Sequence, residues 1–207
     1  MRTALVSVFG LLMAQITMAV ESPDPLEKYT ILPAQFEIEV SPGRTEVLNG
    51  TIQEAFAQAV ALNPDFKLPV LTDKVAGAAE VVNGLVGEVA GGVTGPADRK
   101  RATRVICGNF PSADRGRAIE AIQYLMTLTT APRMGSGPGV CARVSCTNNA
   151  AVYWCNDNHG VKLLDRWEMI AQSAGFIVNT CASVATTVGG QNFESGNWNS
   201  IVRGDSC

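Results

Sequence analysis

The sequence predicts an α+β fold: a small disulfide-stapled antiparallel sheet with two helices packed on one face. Three observations carry this. All six cysteines lie after residue 106. The cysteine-bearing part reads in the order α-β-β-α-β, which is the element pattern of an antiparallel sheet covered by helices. An apolar leader opens the chain, and a dibasic pair separates the cysteine-bearing part from a cysteine-free stretch. The chain therefore divides into a signal peptide (1–19), a propeptide (20–101) and a cysteine-rich mature domain (102–207).

Met1-Arg2 places a positive charge ahead of an apolar run from Ala4 to Ala14, and Thr17-Met18-Ala19 offers small residues for cleavage. This is the layout of a secretory signal peptide, with the cut after Ala19. The run is too short to cross about 30 Å of hydrocarbon. The expected product is extracellular, with no stable membrane insertion.

Residues 20–101 carry seven Lys/Arg against twelve Asp/Glu, with prolines at 23, 25, 33 and 42. A helix is expected from Thr51 to Leu62, with Ile52, Phe56, Ala59 and Val60 on one side. Thr51 caps it, and Glu54 three residues on completes a capping box. A weaker, glycine-interrupted helix is expected over Asp73 to Ala90. Asn49-Gly50-Thr51 is an N-glycosylation acceptor at Asn49. Lys100-Arg101 follows a glycine- and proline-containing stretch and precedes Cys107. A dibasic pair in such a linker suits a kexin-like protease, so maturation is expected after Arg101.

In the last part, Ser112 opens a helix that runs to about Thr129, with Ala118, Ile119, Ile122, Leu125 and Met126 as its stripe. Val140–Cys146 and Ala150–Cys155 read as a hairpin turning at Asn148-Asn149. A longer helix spans about Lys162 to Thr180, with Trp167 in its core stripe. Gly189-Gly190 breaks the chain before a last strand, Trp198–Arg203. Cys107, Cys141, Cys146, Cys155, Cys181 and Cys207 form three disulfides in a secreted domain of this size. Fifteen pairings are open, and the sequence does not choose among them. The spacings do not suit a metal site, so neither metal nor cofactor is expected.

Residues 102–207 carry eight Lys/Arg against seven Asp/Glu, and the whole chain has a formal charge of −3. That balance excludes binding driven by phosphate neutralisation, and no nucleic-acid partner is expected.

Cys107-Gly108-Asn109, the run Gly137-Pro138-Gly139-Val140-Cys141-Ala142-Arg143-Val144-Ser145-Cys146, and Trp154-Cys155-Asn156-Asp157-Asn158 carry a resemblance, together with Gly190-Gln191, Trp198 and Cys207. Residues 107–207 resemble small secreted cysteine-rich effectors of filamentous fungi. They are similar in arrangement to killer-toxin-like and necrosis-inducing proteins. The resemblance implies an extracellular effector or toxin-like protein acting on a host or competitor protein or glycan. The killer toxins' cysteine spacing is not reproduced, so their channel-blocking activity is not implied.

Catalysis is the competing expectation. His159 is the only histidine, so an acid–base device must use it, with Glu168 and Arg143 as partners in a small ribonuclease or glycan-active hydrolase. Its turn-like surroundings, Asn156-Asp157-Asn158-His159-Gly160, favour a structural role. Tyr153 and Trp154 must point to opposite faces of a strand. With helices on one side only, Trp154 is expected to face solvent, joined by Trp198, as a surface for glycan or protein.

Overall fold

The computed structural model describes residues 23–69 and 104–207. The expected signal peptide, the helix expected over Asp73–Ala90 and the Lys100-Arg101 pair lie outside the described residues.

The first part builds a hairpin and a helix. In strand β1 (Thr30–Ser41), Phe36, Ile38 and Val40 are buried while Gln35, Glu37 and Glu39 are exposed, the period-two pattern of a half-buried strand. The chain reverses at Pro42-Gly43, with Gly43 at φ +75°, into the antiparallel strand β2 (Arg44–Gly50). Helix α1 (Ile52–Leu62) follows. The Thr51 hydroxyl accepts from the Glu54 N–H at 3.3 Å, and the Glu54 carboxylate accepts from the Thr51 N–H at 2.6 Å. The capping box stands where the sequence placed it. Asn49 is exposed on β2.

The second part contributes β3 (Arg104–Cys107), β4 (Ala113–Asp114), α2 (Arg115–Leu125), β5 (Arg133–Met134), β6 (Val140–Thr147), β7 (Ala150–Asn156), β8 (Lys162–Leu163), α3 (Glu168–Cys181), β9 (Thr187–Val188), β10 (Gly190–Glu194) and β11 (Trp198–Gly204). Asn148 and Asn149, at φ 47° and 62°, make the β6–β7 turn with both central residues left-handed. Helix α2 is capped by the Asp114 side chain, which accepts from Arg117 N–H at 2.9 Å, not by Ser112. Helix α3 starts later than the stripe suggests, because Lys162 and Leu163 pair with β5.

Seven strands form one sheet in the order β2-β1-β6-β7-β11-β10-β3. The α+β class holds, and two features of the expected architecture change. The sheet is mixed, since β1 runs parallel to β6. Three helices rather than two, α1, α2 and α3, share the larger core with Ala142, Val144, Val152 and Trp154 of the sheet. Both changes have one cause: residues 30–62, read as lying outside the domain, are built into it. Pro33 does not prevent this, because β1 leaves β6 there. Thr30–Pro33 pair with β6, and Ala34–Ser41 pair with β2.

The disulfides are Cys107–Cys181, Cys141–Cys155 and Cys146–Cys207. They tie the edge strand β3 to the end of α3, join facing residues of β6 and β7, and fasten the C-terminus to β6. This is chemistry of an oxidising compartment. No described helix is long and apolar enough to cross a membrane.

The opposite side of the sheet carries a smaller core of Phe110, Tyr153, Ile201 and the Cys141–Cys155 bridge, against which Leu26 and Tyr29 pack. Asp24 caps a single helical turn, Pro25–Lys28, and accepts two hydrogen bonds of 2.7 Å from Arg203. That guanidinium holds the Asp24 carboxyl below the ordinary carboxylate range. Nearby, the Tyr153 hydroxyl donates to Asp205, and burial followed by this bond raises its pKa.

Candidate functional site

Where β1 parts from β6, a cavity of about 240 Å³ opens. Its rim is exposed and mixed: Leu32, Pro33 and Gln35 from β1, and Arg133 and Gly135 from the β5 segment. Ala34, Met134, Trp154 and Trp167 line it as buried residues. The two indoles meet edge to face, centroids 6.3 Å apart at 73°. Phe36 stacks on Trp167 at 4.7 Å, which fixes that ring.

Four separate pieces of sequence make this place, β1 and three others. Strand alternation turns Trp154 to the side opposite Cys155. Trp167 is the residue before the first turn of α3, with its ring turned into the core. The β5–β8 pairing then brings Arg133–Gly135 alongside.

Trp154 and Trp167 are 1% and 2% exposed, and both indole N–H groups are buried without an acceptor among the described residues. Buried tryptophan N–H groups ordinarily find one. Leaving such a donor unpaired costs about 1–3 kcal/mol. Both belong to residues that line one cavity, which offers a ligand an aromatic surface with two unused donors behind it.

The expected binding surface of Trp154 and Trp198 is corrected in one respect. Both side chains are buried, and both belong to the helix-covered core. Residues of all three helices share that core, while Leu26, Tyr29 and Phe110 pack in the core on the other side. Trp154 reaches the surface only through the cavity, and Trp198 is not among the residues lining it. Sequence reasoning assigned Trp167 to the core and missed its second role. No spacing rule links residues 154 and 167 across a strand, a turn and a helix start.

The residues named for catalysis are placed apart. His159 is exposed on the turn after β7. Glu168 accepts from Gln172 at 2.8 Å and pairs with Arg166. Arg143 donates to the Ser206 carbonyl at 2.8 Å and lies 3.6 Å from Asp205, beside the C-terminus. The contacts of Glu168 serve the helix start and those of Arg143 the terminal tail. Among the described residues, no group of three His, Cys, Asp or Glu side chains is arranged to hold a metal.

Comparison with known proteins adds no relative: no protein-family model matches the chain, and no curated protein and no solved structure matches it significantly.

Proposed function

We propose that this is a secreted binding protein without catalytic activity, of the effector or toxin-like kind that its cysteine-rich half resembles. It acts outside the cell on a host or competitor, and its cavity takes a single sugar unit of a glycan. The observation that carries this reading is one small cavity lined by two tryptophans whose buried indole N–H groups have no acceptor among the described residues. A pyranose offers an apolar C–H face to an indole and hydroxyl oxygens to indole donors. Arg133 supplies a cationic residue at the rim. The volume lies below the about 300–1,000 Å³ of sites for drug-sized ligands, which favours one ring over a chain. Three disulfides and the leader at residues 1–19 support export.

The test is a titration of the intact protein with free glucose, mannose, xylose, N-acetylglucosamine and galacturonate, read by tryptophan fluorescence. At least one sugar should give a saturable change. Trp154→Phe, which keeps an aromatic ring but loses the donor, should weaken that sugar about 10- to 100-fold, the equivalent of one buried hydrogen bond. Trp198→Phe and His159→Ala should leave it unchanged. Absence of saturation with every sugar, or a loss confined to Trp198→Phe, would contradict the reading.

A further inference from the structure

Residues 23–69 and 104–207 build one seven-stranded sheet and share the cores on both of its sides, and no disulfide joins them. The six cysteines pair among themselves after residue 106. What holds the two parts together is a set of non-covalent contacts of different kinds.

Thr30–Pro33 pair in parallel with Val140–Arg143. Beyond Arg143 the β6 strand bulges and β1 has departed, and there a side chain takes over from a strand. The Gln53 amide accepts from the Cys146 N–H at 3.1 Å and donates to the Ser145 hydroxyl at 2.8 Å. In the core, Phe36 covers one face of Trp167. On the far side of the sheet, Gln191 donates to the Tyr29 hydroxyl at 2.9 Å. Arg203, its side chain only 6% exposed, holds Asp24 through both carboxylate oxygens.

Taking the first part away leaves an unpaired strand edge, a bare tryptophan face and a buried guanidinium without its bidentate partner. Each is costly: open edges invite foreign pairing, buried aromatics lose their contacts, and a buried charge loses its compensation. The first part thus contacts the sheet edge and both of its faces. A segment that merely accompanies a domain until cleavage requires none of this.

We infer that the surface of the cysteine-rich part is the binding site of residues 23–69, and that a cut between the two parts gives a two-chain protein, not a freed domain. The first part then remains as a non-covalent subunit, in place of the discarded propeptide that the dibasic pair suggests.

The experiment uses the intact purified chain. It is treated with a kexin-type protease, or briefly with trypsin, until mass analysis under denaturing conditions shows every molecule cut between residues 69 and 104. The cut protein is compared with the uncut by gel filtration and by native mass spectrometry. Co-elution is expected, with a native mass equal to one copy of each piece, and the pieces should separate in denaturant without reduction. The cysteine-rich piece eluting alone, or any other stoichiometry, overturns the inference. Asp24→Asn tests the clasp where larger changes threaten folding. Uncut, this variant should elute as the parent does. Cut, its two pieces should dissociate at least tenfold more readily on dilution, and unchanged dissociation would overturn the role given to Arg203.

Discussion

Phe36→Ala lowers the stability of the whole protein by about 3–5 kcal/mol, the range for truncating a buried phenylalanine. Phe36 is 1% exposed and stacks on Trp167, so truncation removes burial on β1 and opens a void against α3. The loss appears in both parts, because the ring belongs to a core that both build. Urea unfolding followed by tryptophan fluorescence reads the second part, since Trp154, Trp167 and Trp198 all lie in it. A midpoint that falls without a change in slope is the expected result. A parental midpoint would mean that β1 is peripheral to the cysteine-rich part.

The second large effect belongs to the Cys107–Cys181 bridge. It closes a loop with a sequence separation of 74, against 61 for Cys146–Cys207 and 14 for Cys141–Cys155. Loop entropy in the unfolded chain then makes it the most stabilising of the three, at about 4 kcal/mol. Its position adds a local reason. Strand β3 is an edge strand held by β10 alone, and Cys181 closes α3. The double variant Cys107→Ala/Cys181→Ala should lose about that much in calorimetric or denaturant unfolding. The Cys141→Ala/Cys155→Ala pair should lose less, and the reverse order would contradict the loop argument.

The parts of the fold that were legible in the sequence are those whose signals are local. Thr51 and Glu54 marked the start of α1 by side-chain chemistry alone. Two asparagines accepting left-handed conformations marked the β6–β7 turn. The alternation at Phe36, Ile38 and Val40 is equally present in the sequence, yet no strand was assigned to it. Gly189-Gly190 was read as a break. A Cβ on Gly190 would lie 2.8 Å from the Ile106 carbonyl oxygen and 2.9 Å from Ile177, so glycine there permits β10 to pack closely between β3 and α3. Close approach and turning both call for glycine, and composition does not separate them.

The candidate site was legible only in part. Trp154 stood out as an aromatic whose face mattered, but the helices were assigned to the side of the Cys155 disulfide. The structure has α1, α2 and α3 sharing a core with Trp154, and the Cys141–Cys155 bridge on the other side of the sheet. The partnership of Trp154 with Trp167, and the rim formed by β1 and Arg133–Gly135, depend on β1 leaving β6 at Pro33. That is a matter of sheet register, to which residue spacing is blind.

The central claim is that residues 23–69 belong to the same cooperative fold as residues 104–207. Amide hydrogen exchange on the intact protein, resolved by peptide mass, tests it most directly, since strands of one cooperative unit share its opening free energy. Peptides spanning Ala34–Val40 should exchange as slowly as those of β7 and β11. Complete exchange of Ala34–Val40 within seconds, with β7 still protected, would contradict the claim and return the first part to the status of an accessory segment.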